Sequence, residues 1–165
     1  MVKKLILVLL VIAPLTALAQ EKYAYVNAQE VLNKMPELGT MENKLVAKQE
    51  TIKKNMEGMQ KEYEDKVKLL SDTVNVTQSI MLDRYHQVEQ LKERIQTFVS
   101  NSEAEYRKEQ ETLFAPIQQK LQQAISDVGS TSSYTYIFDI NMLLYINPKA
   151  TDATKQVKTK LGITN

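Results

Sequence analysis

The sequence predicts an α+β protein in which a long antiparallel helical hairpin projects from a small body of short strands. Three observations predict it. Between about 38 and 128 there is almost no turn signal except at 71–79. Single apolar residues recur there at helical spacing among charged and amide residues, the pattern of a helix with one buried face. Short runs rich in aromatic and β-branched residues stand only near the two ends, at 22–27, 134–138 and 142–146, and read as strands.

The chain opens on Lys3 and Lys4, an apolar run from Leu5 to Ala13, Pro14, and the small-residue triplet Ala17-Leu18-Ala19. That is the layout of a secretory signal peptide over 1–19, with cleavage expected after Ala19. An uncleaved anchor needs about 20 apolar residues, and Pro14 interrupts this run too early. The mature chain, 20–165, loses two lysines and so carries 19 Lys and Arg against 20 Asp and Glu. Such a balance argues against a nucleic-acid partner, which calls for a strongly basic face. With no cysteine in an exported chain, no disulfide framework exists and packing must supply stability.

"KYAYVN" at 22–27 is the first strand, and "AQEVLNK" a two-turn helix that Pro36 stops. Positions 41, 45, 48, 52, 56, 59, 63, 67 and 70 then step by 4-3-4 and hold Met, Leu, Lys, Ile, Met, Met, Tyr, Val and Leu. An eleven-residue cycle of this kind keeps one stripe on a nearly straight helix. A second stripe runs through Met81, Tyr85, Val88, Leu91, Ile95, Phe98, Tyr106, Leu113, Ile117, Leu121, Ala124 and Val128, with a fault near 102. "SDTVNVTQS" at 71–79 has turn chemistry and forms the tip. Pro36 and Pro116 then stand opposite each other, equidistant from residue 76, on arms of roughly 60 Å.

An interior proline is costly, so Pro116 is expected where the hairpin leaves the body, with Gly129 ending the helix beyond it. The expected division is a hairpin arm over 38–114 and a strand-bearing body from 20–37 and 115–165. The last segment reads as strands at 134–138 and 142–146, a loop opened by Asn147-Pro148, and a helix near 152–161 capped by Gly162. Three short strands make a marginal core with open edges, so strands from several subunits are expected to complete one sheet or barrel.

Residues with chemical potential are few. His86 is the only histidine, beside Tyr85 on a charged helix, and reads as a solvated side chain. Glu64-Asp65 and Glu103/Glu105 read as solvated faces. Phosphate-loop, nucleophile-elbow and zinc spacings are absent, so no enzyme activity, metal or cofactor is expected. Met41, Met56, Met59 and Met81 sit on or near the stripes and read first as packing between the arms. Gly58 and Pro116 are candidate hinges. At the tip, Asp72-Thr73-Val74 resembles an O-glycosylation signal used on exported proteins by some Gram-negative bacteria, and Asn75-Val76-Thr77 matches an N-linked acceptor.

"KYAYVNAQEVLNKMPE" at 22–37, "LFAPIQQKLQQAI" at 113–125, "YTYIFD" at 134–139 and the closing "VKTKLGI" at 157–163 together resemble the Skp, or OmpH-like, periplasmic chaperones. The resemblance implies a homotrimer whose strands form a small barrel. It implies hairpins that surround a cavity in which unfolded outer-membrane proteins are held without ATP. Under that reading Tyr23, Tyr25, Tyr134, Tyr136, Phe138, Leu144 and Tyr145 belong to the trimer body. Val46, Leu69, Val74, Val76, Ile80, Leu82 and Val99, which lie off the seam between the arms, are the expected client-binding groups. Well-known members have cationic arms, whereas residues 40–112 here hold 12 Lys and Arg against 14 Asp and Glu. Contact with membrane or lipopolysaccharide is therefore not carried over. The competing reading is a structural or adaptor coiled-coil protein of the cell envelope.

Overall fold

The structure, a computed structural model, describes residues 21–163; the signal peptide read at 1–19 lies outside the described residues. In chain order the elements are β1 (Tyr23–Val26), α1 (Ala28–Lys34), α2 (Pro36–Ser71), α3 (Gln78–Ser132), β2 (Tyr136–Asp139), a 3₁₀ turn (Ile140–Met142), β3 (Thr151–Asp152) and α4 (Thr154–Lys160). Contacts group them into two compact units, one of residues 29–123 and one of residues up to 28 with those from 124.

Within residues 29–123, α2 and the facing part of α3 form the hairpin. Pro36 ends α1 and begins α2 in one stroke. It holds Met35 extended at φ −71° and ψ 124° and occupies a first-turn position whose amide has no helical partner anyway. The contacts Lys48–Glu105, Lys66–Gln87 and Leu69–Arg84 have residue numbers that each sum to 153, which fixes one antiparallel register along the hairpin. Every position of the 4-3-4 stripe is buried or half-buried except Val67, and Leu45 is fully covered. On α3 the stripe supplies Val88, Leu91, Ile117 and Leu121 to the core, whereas Tyr85 is exposed. The expected fault is Ser102, which is buried on the same stripe. The seam runs through it with a small hydroxyl in place of a large apolar group.

The tip occupies residues 72–77, between the helices. The Asp72 carboxylate accepts from the Val74 amide at 3.3 Å, and Asn75 takes a left-handed conformation at φ 57°, which asparagine tolerates well. Thr77 starts α3 as an N-cap, its hydroxyl accepting from the Ile80 amide at 3.3 Å. Arg84 donates to the carbonyls of Leu69 (2.5 Å) and Asp72 (2.9 Å), bringing a cation to the negative end of α2.

Pro116 does not end or divide the helix: α3 is continuous from Gln78 to Ser132 with the proline inside it. The Thr112 carbonyl therefore lacks the amide donor four residues on. An interior proline is about 3 kcal/mol worse than alanine, and its restriction of the unfolded chain offsets part of this. Pro116→Ala is accordingly expected to raise stability by about 2 kcal/mol and to slow amide exchange around Thr112. Denaturant midpoints and hydrogen exchange check both.

In the other unit, β1 lies between β2 and β3, and both pairings are parallel. Tyr23 pairs with Tyr136, Ala24 with Ile137 and Tyr25 with Phe138, so side chains alternate between two faces. Ala24 and Val26 point to the buried face, and Ala124, Val128, Ala153 and Val157 are buried in the same unit. Asn27 donates its amide to the Thr154 hydroxyl at 3.0 Å, and Lys160 pairs with Asp127 at 2.9 Å.

The expected strand at 142–146 does not form. Leu143 to Ile146 runs outside the sheet, and its place is taken by Thr151–Asp152. Parallel pairing on both sides of β1 explains the change. A parallel strand can only be reached by a crossover connection, and residues 140–150 are that connection between β2 and β3. By the same rule the long helical segment is the crossover from β1 to β2.

Two helices end in the same way with different residues. After α4, Gly162 is left-handed at φ 72°, with Ile163 N–H on the Lys158 carbonyl (2.9 Å) and Gly162 N–H on that of Thr159 (3.0 Å). This Schellman cap is the one expected from the sequence. After α3 the left-handed residue is Ser133 at φ 55°, with Tyr134 N–H on the Gly129 carbonyl (2.9 Å) and Ser133 N–H on that of Ser130 (3.3 Å). Gly129 is thus inside the helix and is not its cap; a β-carbon there would touch the Ile137 side chain at 3.6 Å. Ser133→Gly removes a left-handed β-carbon and is expected to stabilise by about 0.5–1 kcal/mol, read as a shifted unfolding midpoint.

Candidate functional site

The described residues hold no group of three or more His, Cys, Asp or Glu placed to bind a metal, and His86 is exposed with Tyr85 edge-on at 6.3 Å. What the structure offers instead is apolar surface. Each unit carries its own.

On the hairpin, the two helices spend most of their striped faces on each other, so apolar residues off the stripe are left largely uncovered. Val46, Leu69, Val74, Ile80, Leu82 and Val99 are all exposed, and Val76 is half-buried. Four of these cluster around the tip, where Val74 reaches 75% exposure, and the others are dispersed along the helices. A groove of about 500 Å³ opens on the seam, lined by Ile52, Met56, Val99, Ser102 and Tyr106 among others. Ser102 is one of its lining residues, and its short side chain fills less of the seam there than a large apolar group would. Met41, Met56, Met59 and Met81 are all half-buried, as packing between the helices requires. Gly58 stands in the interior of α2 with open space where a side chain would go.

Where the two prolines oppose each other, Pro36 and Pro116 line one groove of about 430 Å³ together with Glu37, Met41 and Lys120. Lys120 donates to Glu37 Oε1, while the second carboxylate oxygen is shut from solvent without a partner. The Lys120 hydrogen bond, seconded by the backbone amide of Glu37 at the positive end of α2, holds the Glu37 carboxyl below the usual range. A carboxyl depressed in the folded state adds stability above its unfolded pKa, near 4.3. That contribution is lost as pH falls through the lower folded value. The pair is partly exposed, so Glu37→Gln should cost less than about 1 kcal/mol at neutral pH. It should also flatten the loss of stability below about pH 4, which acid titration of the unfolding midpoint checks. Lys120 and Arg84 escape a sequence reading because both contacts join residues distant in the chain.

On the strand-bearing unit, the face of the sheet opposite the core is aromatic. Tyr23 stacks on Tyr136 with ring centroids 6.0 Å apart, and Tyr136 on Phe138 at 5.9 Å. All three are exposed, and Tyr25 and Tyr134 are half-buried. In the crossover after β2, Leu144 and Tyr145 are exposed at 107% and 77%. β-Branched and aromatic residues on alternate positions predicted the strands. Only the pairing shows that their rings gather on one uncovered face.

Residues 22–161 match the family model described as outer membrane protein (OmpH-like). No curated protein matches the chain significantly. Among solved structures, the chain is similar to one from Caulobacter crescentus CB15 assigned as an outer membrane chaperone (OmpH-like). The TM-score is 0.76 at 13% identity, over 87% of this chain and 85% of that one. At that identity the likeness is one of fold. The family match covers nearly all of the described residues, and the chain belongs to the OmpH-like outer membrane protein family.

Proposed function

We propose that the protein is a periplasmic, ATP-independent holdase that binds unfolded outer-membrane proteins between the helical arms of a homotrimer. One observation carries the reading: the hairpin leaves seven aliphatic side chains exposed, Val46, Val67, Leu69, Val74, Ile80, Leu82 and Val99, gathered most densely at the tip and continuing along the helices. Dispersed apolar contacts suit clients of many sequences, because no single geometry is demanded. The family match supports the same direction. In this proposal residues 38–114 are the arm, and 20–37 with 115–165 the trimerisation body, after removal of 1–19 on export. Tyr23, Tyr25, Tyr134, Tyr136, Phe138, Leu144 and Tyr145 make the contacts between subunits. The exposed aromatic ladder favours this, since an uncovered row of stacked rings is poorly suited to water. Gly58 and Pro116 are the proposed flex points of the arm.

The test is suppression of aggregation with several unrelated unfolded outer-membrane barrels and no nucleotide. Protection of all of them supports the holdase. Binding to one folded partner, with no protection of unfolded barrels, would favour an adaptor or spacer of the envelope.

A further inference from the structure

The tip of the hairpin carries chemistry that client holding does not use. Residues 72–77 lie outside both helices, and Asp72 is extended at φ −85° and ψ 102°. Its carboxylate receives the Val74 amide at 3.3 Å, bending the chain around Thr73. Thr73 is exposed, and among the described residues its hydroxyl makes no hydrogen bond. Its neighbours differ. The Thr77 hydroxyl is committed to capping α3 through the Ile80 amide, and Ser71 and Ser79 are held in helical backbone. A group-transfer enzyme must draw its acceptor into a cleft, which exposed turns permit and helices resist.

We propose that the Thr73 hydroxyl is a glycan-acceptor site, O-glycosylated after export within the acid-hydroxyl-apolar triplet Asp72-Thr73-Val74. The donor class is an activated sugar, a glycosyl phosphate or diphosphate. Thr73 Oγ1 forms the bond to the anomeric carbon, the phosphate departs with the electrons of the bond that breaks, and the hydroxyl proton passes to a base of the transferase. No oxidation occurs. The N-linked alternative at Asn75 is less favoured by the same geometry, because Asn75 is left-handed and the hydroxyl of its triplet, Thr77, already serves as a helix cap. The proposal requires export but not client holding, and its readout is covalent mass, so the two readings fail separately.

The test uses the full protein isolated from the cell that naturally makes it. Trypsin cleavage after Lys68 and Arg84 releases the peptide of residues 69–84, whose mass and fragments are then read. The expected result is a saccharide on that peptide in most copies, placed on Thr73, lost in Thr73→Ala and retained in Thr73→Ser and Asn75→Gln. An unmodified peptide overturns the proposal, as does a sugar that maps to Asn75 and survives Thr73→Ala. Thr73 is exposed and lies outside both helices, so its loss is expected to leave helix content unchanged.

Discussion

Replacing Val46, Leu69, Ile80, Leu82 and Val99 together by serine or glutamine is expected to abolish client holding while the hairpin stays folded. All five are exposed, so their loss removes little from the core of the hairpin itself, which rests on Leu45, Val88, Leu91, Ile117 and Leu121. Each offers a client at most about 1.5–3 kcal/mol of apolar burial, and ordering the client offsets much of it. Affinity then depends on the number of contacts, and single substitutions should change it only slightly. The arms are close to charge-balanced over 40–112, with 12 basic and 14 acidic residues, so holding should persist to about 0.3 M salt. Aggregation assays on two unfolded barrels, with far-UV circular dichroism as the folding control, read the outcome. One substitution that eliminates holding, or release of clients by that salt from an intact oligomer, would show that a single site or charge attraction carries the binding.

Substituting Tyr23, Tyr136 and Phe138 by serine is expected to convert the proposed trimer into single chains. The three rings stack on the face of the sheet turned away from the buried residues Ala24 and Val26. They contribute little to the core of one chain and most of their area to whatever covers that face. Burying an aromatic side chain is worth about 1.5–3 kcal/mol, so losing three from every subunit removes more than an ordinary oligomer can spare. Mass in solution decides the matter. A wild-type protein that is already a single chain at micromolar concentration would sink the assembly, and an unchanged mass in the triple variant would move the interface to Leu144 and Tyr145.

Helical repetition made much of the hairpin legible. A stripe that steps by 4-3-4 depends only on neighbours one turn apart, so Met41 to Leu70 could be read as one covered face before any partner was known. The tip and the cap at Gly162 were readable for a similar reason, since turn and cap chemistry are set within four to six residues. Even the fault near residue 102 was visible, although its meaning was not: Ser102 is buried, and the groove beside it exists only because another helix passes opposite.

The features that escaped the sequence all turn on partners distant in the chain. The apolar run at 142–146 has the composition of a strand, but β1 has only two edges, and β2 and Thr151–Asp152 take them. Pro116, expected where the hairpin leaves the body, carries a local cost of about 3 kcal/mol, and the packing of Ile117, Leu121 and their neighbours along a continuous helix is able to outweigh it. Gly129 looked like the end of that helix, yet the stop comes at Ser133, where the chain must turn so that Thr135 can donate to the Lys22 carbonyl at 2.7 Å and begin the β1–β2 pairing. The sequence by itself therefore determined the helical arms, the tip and most of the residues the hairpin leaves exposed, with Val67, Val76 and Tyr85 as the exceptions, because each depends on short-range periodicity and turn chemistry. The tertiary structure decided the strand that completes the sheet, where α3 stops, and the gathering of Tyr23, Tyr136 and Phe138 on one open face. Each of those is a competition among distant segments for the same backbone donors, acceptors and apolar surface.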